Sequence, residues 1–241
     1  MKQNKFTILL PYYNRPNMVR FALQSLKDQN YDNWQLLFCD DGSPFSGEKV
    51  LYEYFPENTN VKYVNTQTTL EEKQKIGSSF GKFLNEFILE NPSDICLVIC
   101  DDDALCKNYL FELNNWYNNN PDKNYSFCNV VPYNPFSIKS LNEVDINSTC
   151  VLNYKGQMEI NPVCKVDSSQ VSWRTNAFTE HGVRYPYPQT SALDASLFQQ
   201  LYNIFGLCPY NQIVGQYKGF HPEQLGNRRD LNTQDVNFLP S

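Results

Sequence analysis

Histidine is nearly absent from this chain: His181 and His221 are the two among 241 residues. A multi-histidine metal cage is therefore excluded. No apolar run approaches the roughly 18 residues that a membrane-spanning helix needs. Positive charge is short as well, with a formal net charge of −6 and a sequence pI near 5.0. That balance leaves no basic footprint for nonspecific nucleic-acid binding. An acidic chain still takes phosphate-bearing ligands where a metal or a few local cations reverse the field. Among the eight cysteines there is no C-x-x-C pair. Several of Cys39, Cys96, Cys100, Cys106, Cys128, Cys150, Cys164 and Cys208 sit in apolar strand-like runs. They read as buried reduced thiols, not as disulfides or a zinc site. The opening MKQNKFTILLPYYNRP lacks a secretory pattern, because FTILL is short and leads into Pro-Tyr-Tyr-Asn. A cytoplasmic location is the expectation, with no transmembrane segment and peripheral membrane contact left open. Internal repeats and clear linkers are missing too.

Core-forming residues are plentiful. With 41% hydrophobic and 15% aromatic residues, the chain can fill one large α/β domain or two small ones. Residues 5–10 (KFTILL) form a short apolar run stopped by Pro11. Met18, Val19, Phe21, Ala22 and Leu26 then follow at helical spacing. Trp34–Cys39 predicts a second buried strand, Glu48–Tyr54 a helix and Val61–Val64 a third strand. Glu71–Leu89 predicts one long helix, with Ile76, Phe80, Phe83, Leu84, Phe87 and Ile88 on one face. Ile95–Cys100 is near-continuously apolar, as in the centre of a parallel sheet. After a helix at Tyr109–Tyr117 the pattern loosens. Strands are expected at Tyr125–Val131, Gln170–Thr175 and Gln212–Lys218, a helix at Ala192–Ile204, and an Asn-rich connection over residues 134–165.

Strands alternating with helices imply right-handed βαβ units and a doubly wound, Rossmann-like, mostly parallel sheet flanked by helices. Ligands on such sheets bind beyond the C-terminal ends of the strands. Three polar turns fall at such ends: PYYN after the first strand, CDDGS after the second, and Asp101-Asp102-Asp103 after the fourth. Three adjacent carboxylates repel one another and are costly to bury unpaired. Either water solvates them or something positive sits there. By itself DDGS reads as an ordinary turn, and the triple aspartate is equally a solvated acidic loop.

The combination is more specific than its parts. The stretch ILLPYYNRPNMVRFALQSLKDQNYDNWQLLFCDDGS resembles the opening of family 2 glycosyltransferases, with Pro11, Tyr13, Asn14, Ser25, Leu26, Gln29, Trp34 and Asp40-Asp41-Gly42-Ser43 in the family's order. Asp101-Asp102-Asp103 falls where that family carries its D-x-D metal motif. The likeness is strong over residues 5–115 and thinner afterwards. It implies the GT-A fold in a single domain at 1–221, with a nucleotide-sugar-binding half (1–115), an acceptor and catalytic half (116–221) and an arm or tail at 222–241. It implies an inverting transferase using Mn²⁺ or Mg²⁺, a nucleotide-diphosphate sugar donor of UDP type, and a hydroxyl on a glycan, lipid-linked or protein acceptor.

By that resemblance Asp41 hydrogen-bonds the nucleotide base, and Pro11, Tyr13 and Asn14 line the donor pocket. Asp101 and Asp102 lie against the donor, and Asp103 ligates the metal. Lys82, in a loose G-x-x-x-x-K-x-x-N segment with Gly77 and Asn85, pairs with the diphosphate or is a solvated helix lysine. Asp194, in PYPQTSALDASLFQQLY, takes the base role at a helix start. Leu193 stands where the family often has Glu, and Glu180 is the reserve. A first-turn or capping aspartate is the ordinary alternative for Asp194. His221 completes the metal or touches phosphate, or is a surface histidine. Arg228 and Arg229 read as a solvated basic pair. Trp173 and Arg174 fall on the acceptor side, with a core role for Trp173 the commoner outcome.

The chemistry agrees. Cleaving a sugar diphosphate leaves extra negative charge, which a divalent ion stabilises as a Lewis acid, and hard cations favour carboxylate oxygens. Two rival readings stay open. A sugar-phosphate nucleotidyltransferase would call for a Gly-rich basic loop where PYYNRP stands. A non-catalytic glycan- or nucleotide-binding module on a degenerate scaffold would not need Asp41, Asp101, Asp103 and Asp194 together.

Overall fold

The structure, a computed structural model, describes residues 2–56, 59–76, 79–146, 158–188 and 193–222. Strand β1 (Phe6–Tyr12) lies between β2 (Trp34–Asp40) and β4 (Ile95–Val98), parallel to both, and β3 (Val61–Asn65) extends the parallel run beyond β2. Period-two alternation divides these strands between two cores. Phe6, Ile8, Leu10, Leu36, Phe38, Ile95 and Leu97 face one side. There they pack on α1 (Val19–Lys27), α2 (Glu48–Tyr54) and α5 (Tyr109–Asn119). Leu9, Leu37, Cys39, Cys96 and Val98 face the other side. Their partners are α4 (Phe80–Glu90), α6 (Asn176–Thr179) and α7 (Leu193–Phe205). Burying each such Leu, Ile or Phe contributes about 1.5–3 kcal/mol. The expected helices on both faces are present.

Beyond β4 the sheet changes character. The strand β8 (Val171–Arg174) pairs antiparallel with β4 and with β6 (Tyr125–Tyr133). Next comes β9 (Cys208–Gly219), parallel to β6 and antiparallel to the two-residue strands β5 (Ala104–Leu105) and β7 (Glu159–Ile160). Half of the pairings are thus antiparallel, and the sheet is partly, not mostly, parallel. The reason is connectivity: after α5 the chain returns through β6 and β8 against the open edge of β4.

Two further expectations change in detail. The long helix expected over Glu71–Leu89 comes as α3 (Leu70–Ile76) and α4. Ser79, between them, donates its hydroxyl to Asp41 Oδ1 at 3.1 Å. The final strand begins earlier than Gln212, at Cys208. Within the 134–165 connection, a 3-10 turn at Leu141–Glu143 and β7 are described. Gly77, Cys150, Arg228, Arg229 and the tail beyond Pro222 lie outside the described residues. No helix among the described residues is long and apolar enough to cross a membrane. Every cysteine among them is a free thiol; Cys164 is exposed and Cys100 half-buried, while the others are buried.

Candidate active site

The three polar turns meet at one edge and are tied together through PYYN. Tyr13 donates its backbone N–H to Asp101 Oδ2 at 2.9 Å. Asn14 donates its own to Ser43 Oγ at 2.9 Å, from a left-handed φ of 52° that asparagine tolerates. The paired aspartates of β2 divide the work. Asp40 is structural: it accepts from the N–H groups of Ser43 and Gly47 and from the Tyr63 hydroxyl, at 2.8–2.9 Å. Asp41 faces the site edge, taking the hydroxyls of Thr66 and Ser79 at 3.1 Å, with Lys73 Nζ 3.4 Å away. Gly42 lets the turn close: its φ is +67°, and a Cβ there would lie 2.3 Å from the Thr68 carbonyl oxygen.

The positive groups answering the triple aspartate are side chains. Arg15 Nη1 bridges Asp101 at 2.9 Å and Asp102 at 3.2 Å. Lys218 Nζ bridges Asp103 at 2.9 Å and Asp167 at 3.0 Å. His221 Nε2 lies 3.0 Å from Asp102 Oδ2. The β5–β9 register, Ala104 opposite Tyr217, brings Lys218 and Gly219 onto this turn. Gly219 is required there, since a Cβ would sit 2.2 Å from the Asp102 carbonyl oxygen. Tyr133 donates its hydroxyl to the same oxygen at 2.8 Å.

Charge states follow from these contacts. Burial pushes the Asp101 carboxyl up to about 6, against the pull of Arg15. Asp102 feels burial too, yet the His221 hydrogen bond and the charges of Lys218 and Arg15 hold it below the usual range. For Lys218 burial disfavours the ammonium, and the negative neighbours Asp103, Asp167 and Asp102 together outweigh it, so the side chain stays charged. Asp167 is likewise held low by Lys218 and the Ser169 N–H despite burial.

Asp102 and Asp103 each already meet a side-chain cation, Arg15 at 3.2 Å and Lys218 at 2.9 Å. Asp103 is fully buried, with Oδ1 accepting from the Gly219 N–H at 3.0 Å and Oδ2 from Lys218. A cation there would meet the ammonium. The same ammonium lies against Asp103 and Asp167 in the cluster they form with Cys100, whose thiol burial pushes up. Asp102 with His221 places a carboxylate beside an imidazole, 3.0 Å apart.

On the other face of β1, Asp194 sits in the first turn of α7, accepting from the Ala195 N–H at 2.8 Å. It lines a cavity of about 270 Å³ together with Pro11, Leu193 and Trp173. Glu180 is exposed after α6 and is not part of that lining. Trp173 is fully buried, so its core role holds, although it also borders the cavity. Arg174 clamps the carbonyls of Lys123 and Tyr117 at 2.9 Å. Lys82 is exposed and lies near the Phe83 ring, 5.7 Å from its centroid. Asn85 instead exchanges two hydrogen bonds with the Tyr185 backbone. The lysine beside Asp41 and Tyr13 is Lys73, 3.4 Å over the Tyr13 ring. Sequence reasoning missed Lys73, Lys218, Asp167 and Arg15; Arg15 alone had a local signal, directly following PYYN.

The arrangement is an α/β fold with a partly parallel sheet whose carboxylates gather beyond the ends of β2 and β4. Residues 7–125 match the sequence model of Glycosyl transferase family 2, and the chain belongs to that family. It is 24% identical over 184 residues to a teichoic acid poly(glycerol phosphate) polymerase of Staphylococcus epidermidis, covering 76% of this chain and 24% of the relative. The fold is similar to S. aureus TarS 1-349 in complex with UDP-GlcNAc, with a TM-score of 0.71 at 16% identity over 91% of this chain and 60% of that one. A mannosyltransferase, PcManGT from Pyrobaculum calidifontis, in complex with GDP-Man and Mn²⁺, gives a TM-score of 0.57 at 12% identity, covering 89% of this chain and 56% of that one. The chain thus spans about a quarter of the curated relative and under two thirds of these solved structures.

Proposed function

We propose that this domain transfers a sugar from a UDP-type donor to an acceptor hydroxyl, with inversion at the anomeric carbon. The observation that carries the reading is the meeting of Asp102 and His221, 119 residues apart, at the strand edge that also presents Asp41 and Tyr13. The UDP and UDP-GlcNAc complexes of TarS support the donor class. The Mn²⁺ complex of the mannosyltransferase supports a metal. Residues 1–115 form the donor half and 116–221 the half that supplies the base and the second metal ligand.

The family resemblance and the geometry together support these roles. Asp41 accepts from the base, in a pocket walled by Tyr13 and Asn14. Asp101, fixed by the Tyr13 N–H, addresses the ribose. Asp102 and His221 would hold the cation beside Asp103, the ligand that the family resemblance implies, whose carboxylate also anchors β9 through Lys218 and the Gly219 N–H. A bound divalent ion supplies Lewis-acid stabilisation of the diphosphate leaving group. Asp194 takes the proton from the acceptor hydroxyl as that oxygen bonds to the anomeric carbon and the bond to the diphosphate breaks. A positioned base of this kind contributes roughly 10²–10⁴-fold.

Calorimetric titration of UDP with and without Mn²⁺ tests the reading. Wild type should bind UDP more tightly with Mn²⁺, Asp102→Asn should lose that enhancement, and Asp194→Asn should keep it. UDP failing to bind under either condition would sink the donor assignment and favour the binding-module alternative.

A further inference from the structure

One carboxylate oxygen at the site meets two basic side chains. Arg15 Nη1 lies 3.2 Å from Asp102 Oδ2, and His221 Nε2 lies 3.0 Å from the same atom. That oxygen belongs to the pair proposed above to hold the divalent ion. Hard cations take carboxylate oxygens as ligands, and a second cation on the same oxygen repels them. An imidazole can offer a ring nitrogen to a metal. A guanidinium has no acceptor and stays charged. For an ion to sit on Asp102, Arg15 has to leave that carboxylate.

The local structure allows this without undoing the turn. Arg15 is half-buried, and the backbone on both sides of it is fixed. Asn14 donates its N–H to Ser43 Oγ at 2.9 Å, and the Arg15 carbonyl accepts from the Val19 N–H at 3.1 Å. Movement is thereby confined to the side chain. Asp101 Oδ1, 2.9 Å from the same guanidinium nitrogen, is a second hold that keeps Arg15 at the site edge once Asp102 is given up. Lys218 lacks that freedom, being buried between Asp103 and Asp167. What would draw the guanidinium off Asp102 is an anion arriving with the ion. The Tyr13 N–H bond to Asp101 puts Arg15 and the donor pocket on one turn, and the fork of a guanidinium matches phosphate oxygens.

We infer that Arg15 is a relay between the metal and the donor: it guards Asp102 against a cation arriving alone, and turns to the diphosphate when ion and nucleotide bind together. The inference rests on the glycosyltransferase reading above and adds a donor-binding residue to it. Its consequence is cooperativity. While Arg15 holds Asp102, the apparent affinity for a bare ion is lowered by the fraction of time that the oxygen is covered, and a nucleoside diphosphate removes that penalty. By linkage the ion raises nucleotide affinity by the same factor.

The test measures Mn²⁺ affinity of the full chain with and without saturating UDP, reading the free ion by electron paramagnetic resonance. The ratio of the two affinities is the coupling factor. Arg15→Gln should bind bare Mn²⁺ more tightly than wild type and Mn²⁺ with UDP no more tightly, so that the coupling factor falls by roughly tenfold or more. A guanidinium that stayed on Asp102 throughout would change Mn²⁺ affinity by one factor in both conditions and leave the coupling as in wild type. That result, in a variant whose urea unfolding remains cooperative, overturns the inference. Should Arg15→Gln not fold, Arg15→Met combined with Asp101→Asn removes the guanidinium together with a carboxylate that it neutralises. Its coupling factor should lie below that of Asp101→Asn alone, and equal factors overturn the inference as well. Failure of wild type to bind UDP under either condition is a different result: it removes the donor reading and the inference with it.

Discussion

Consecutive aspartates close β2 and follow β4, yet the protein neutralises them in different ways. At β2 the partners of Asp40 and Asp41 come from at most 38 residues away: turn N–H groups, the hydroxyls of Tyr63, Thr66 and Ser79, and Lys73. At β4 the partners of Asp102 and Asp103 include Lys218, Gly219 and His221, 115 to 119 residues later in the chain. The first site is built from local turn chemistry and mostly neutral donors, with Lys73 beside Asp41. The second is built from buried full charges and is complete only once β9 has paired with β5. Local sites of the first kind tolerate loss of a partner; a buried charge left alone does not.

That contrast is sharpest at Lys218. Lys218→Met strands Asp103 in the core and should cost about 3–5 kcal/mol in urea unfolding. Adding Asp103→Leu should restore most of it, because a dry apolar pair replaces a lone charge. A loss well under 1 kcal/mol in the single variant would show that the β4 turn does not depend on its distant cation.

At β2 the weak point is backbone, not charge. Gly42→Ala forces an L-residue to a φ of +67° and its Cβ against Thr68, which should cost about 1–3 kcal/mol. UDP affinity should fall with it, since the turn carries Asp41. Unchanged stability would mean that the turn relaxes freely and that the β2 site is less rigid than its hydrogen bonds indicate.

Acidity separates the two ends further. Burial pushes the Asp101 carboxyl up to about 6, whereas an unfolded aspartate titrates at about 3.9. The native state therefore holds this proton more tightly than the unfolded chain. Its stabilising contribution is full below about pH 4 and is lost as pH rises through about 6. Between pH 5 and 8 wild type should lose about 1–2 kcal/mol more than Asp101→Asn in parallel urea titrations. Parallel curves for the two proteins would show that Arg15 holds Asp101 ionised throughout.

The smallest effect distinguishes two lysines. Lys82→Ala, on the exposed face of α4, should change stability by no more than about 0.5 kcal/mol and leave UDP binding intact. Lys73→Ala should leave stability close to wild type while changing UDP affinity, because Lys73 contacts both Asp41 and the Tyr13 ring. Equal effects of the two on binding would return Lys82 to the diphosphate.

Much of the parallel half was readable before any coordinates. Alternating apolar residues in FTILLPY and WQLLFCD define strand faces by their own spacing, and PYYN, DDGS and DDD stop them with residues that favour turns. Where local signals competed, reading was less sure. Glu71–Leu89 has continuous helical periodicity, and only the pairing of Ser79 with Asp41 and Thr68 shows why α3 and α4 are separate. In the second half, β6, β8 and β9 have apolar patterns, but nothing in a strand's composition states whether its neighbour runs with it or against it.

By itself the sequence determined that three carboxylate-bearing turns would end three strands of an α/β sheet, because strand alternation and turn preference act over a few residues. Only the tertiary structure decided what each carboxylate does. Asp103 became an anchor and Asp102 the partner of His221 because β9 returns more than a hundred residues later to place one ammonium and one imidazole against neighbouring side chains. Electrostatic partnership inside a low-dielectric core depends on distances of about 3 Å, and such distances are set by packing across the whole chain.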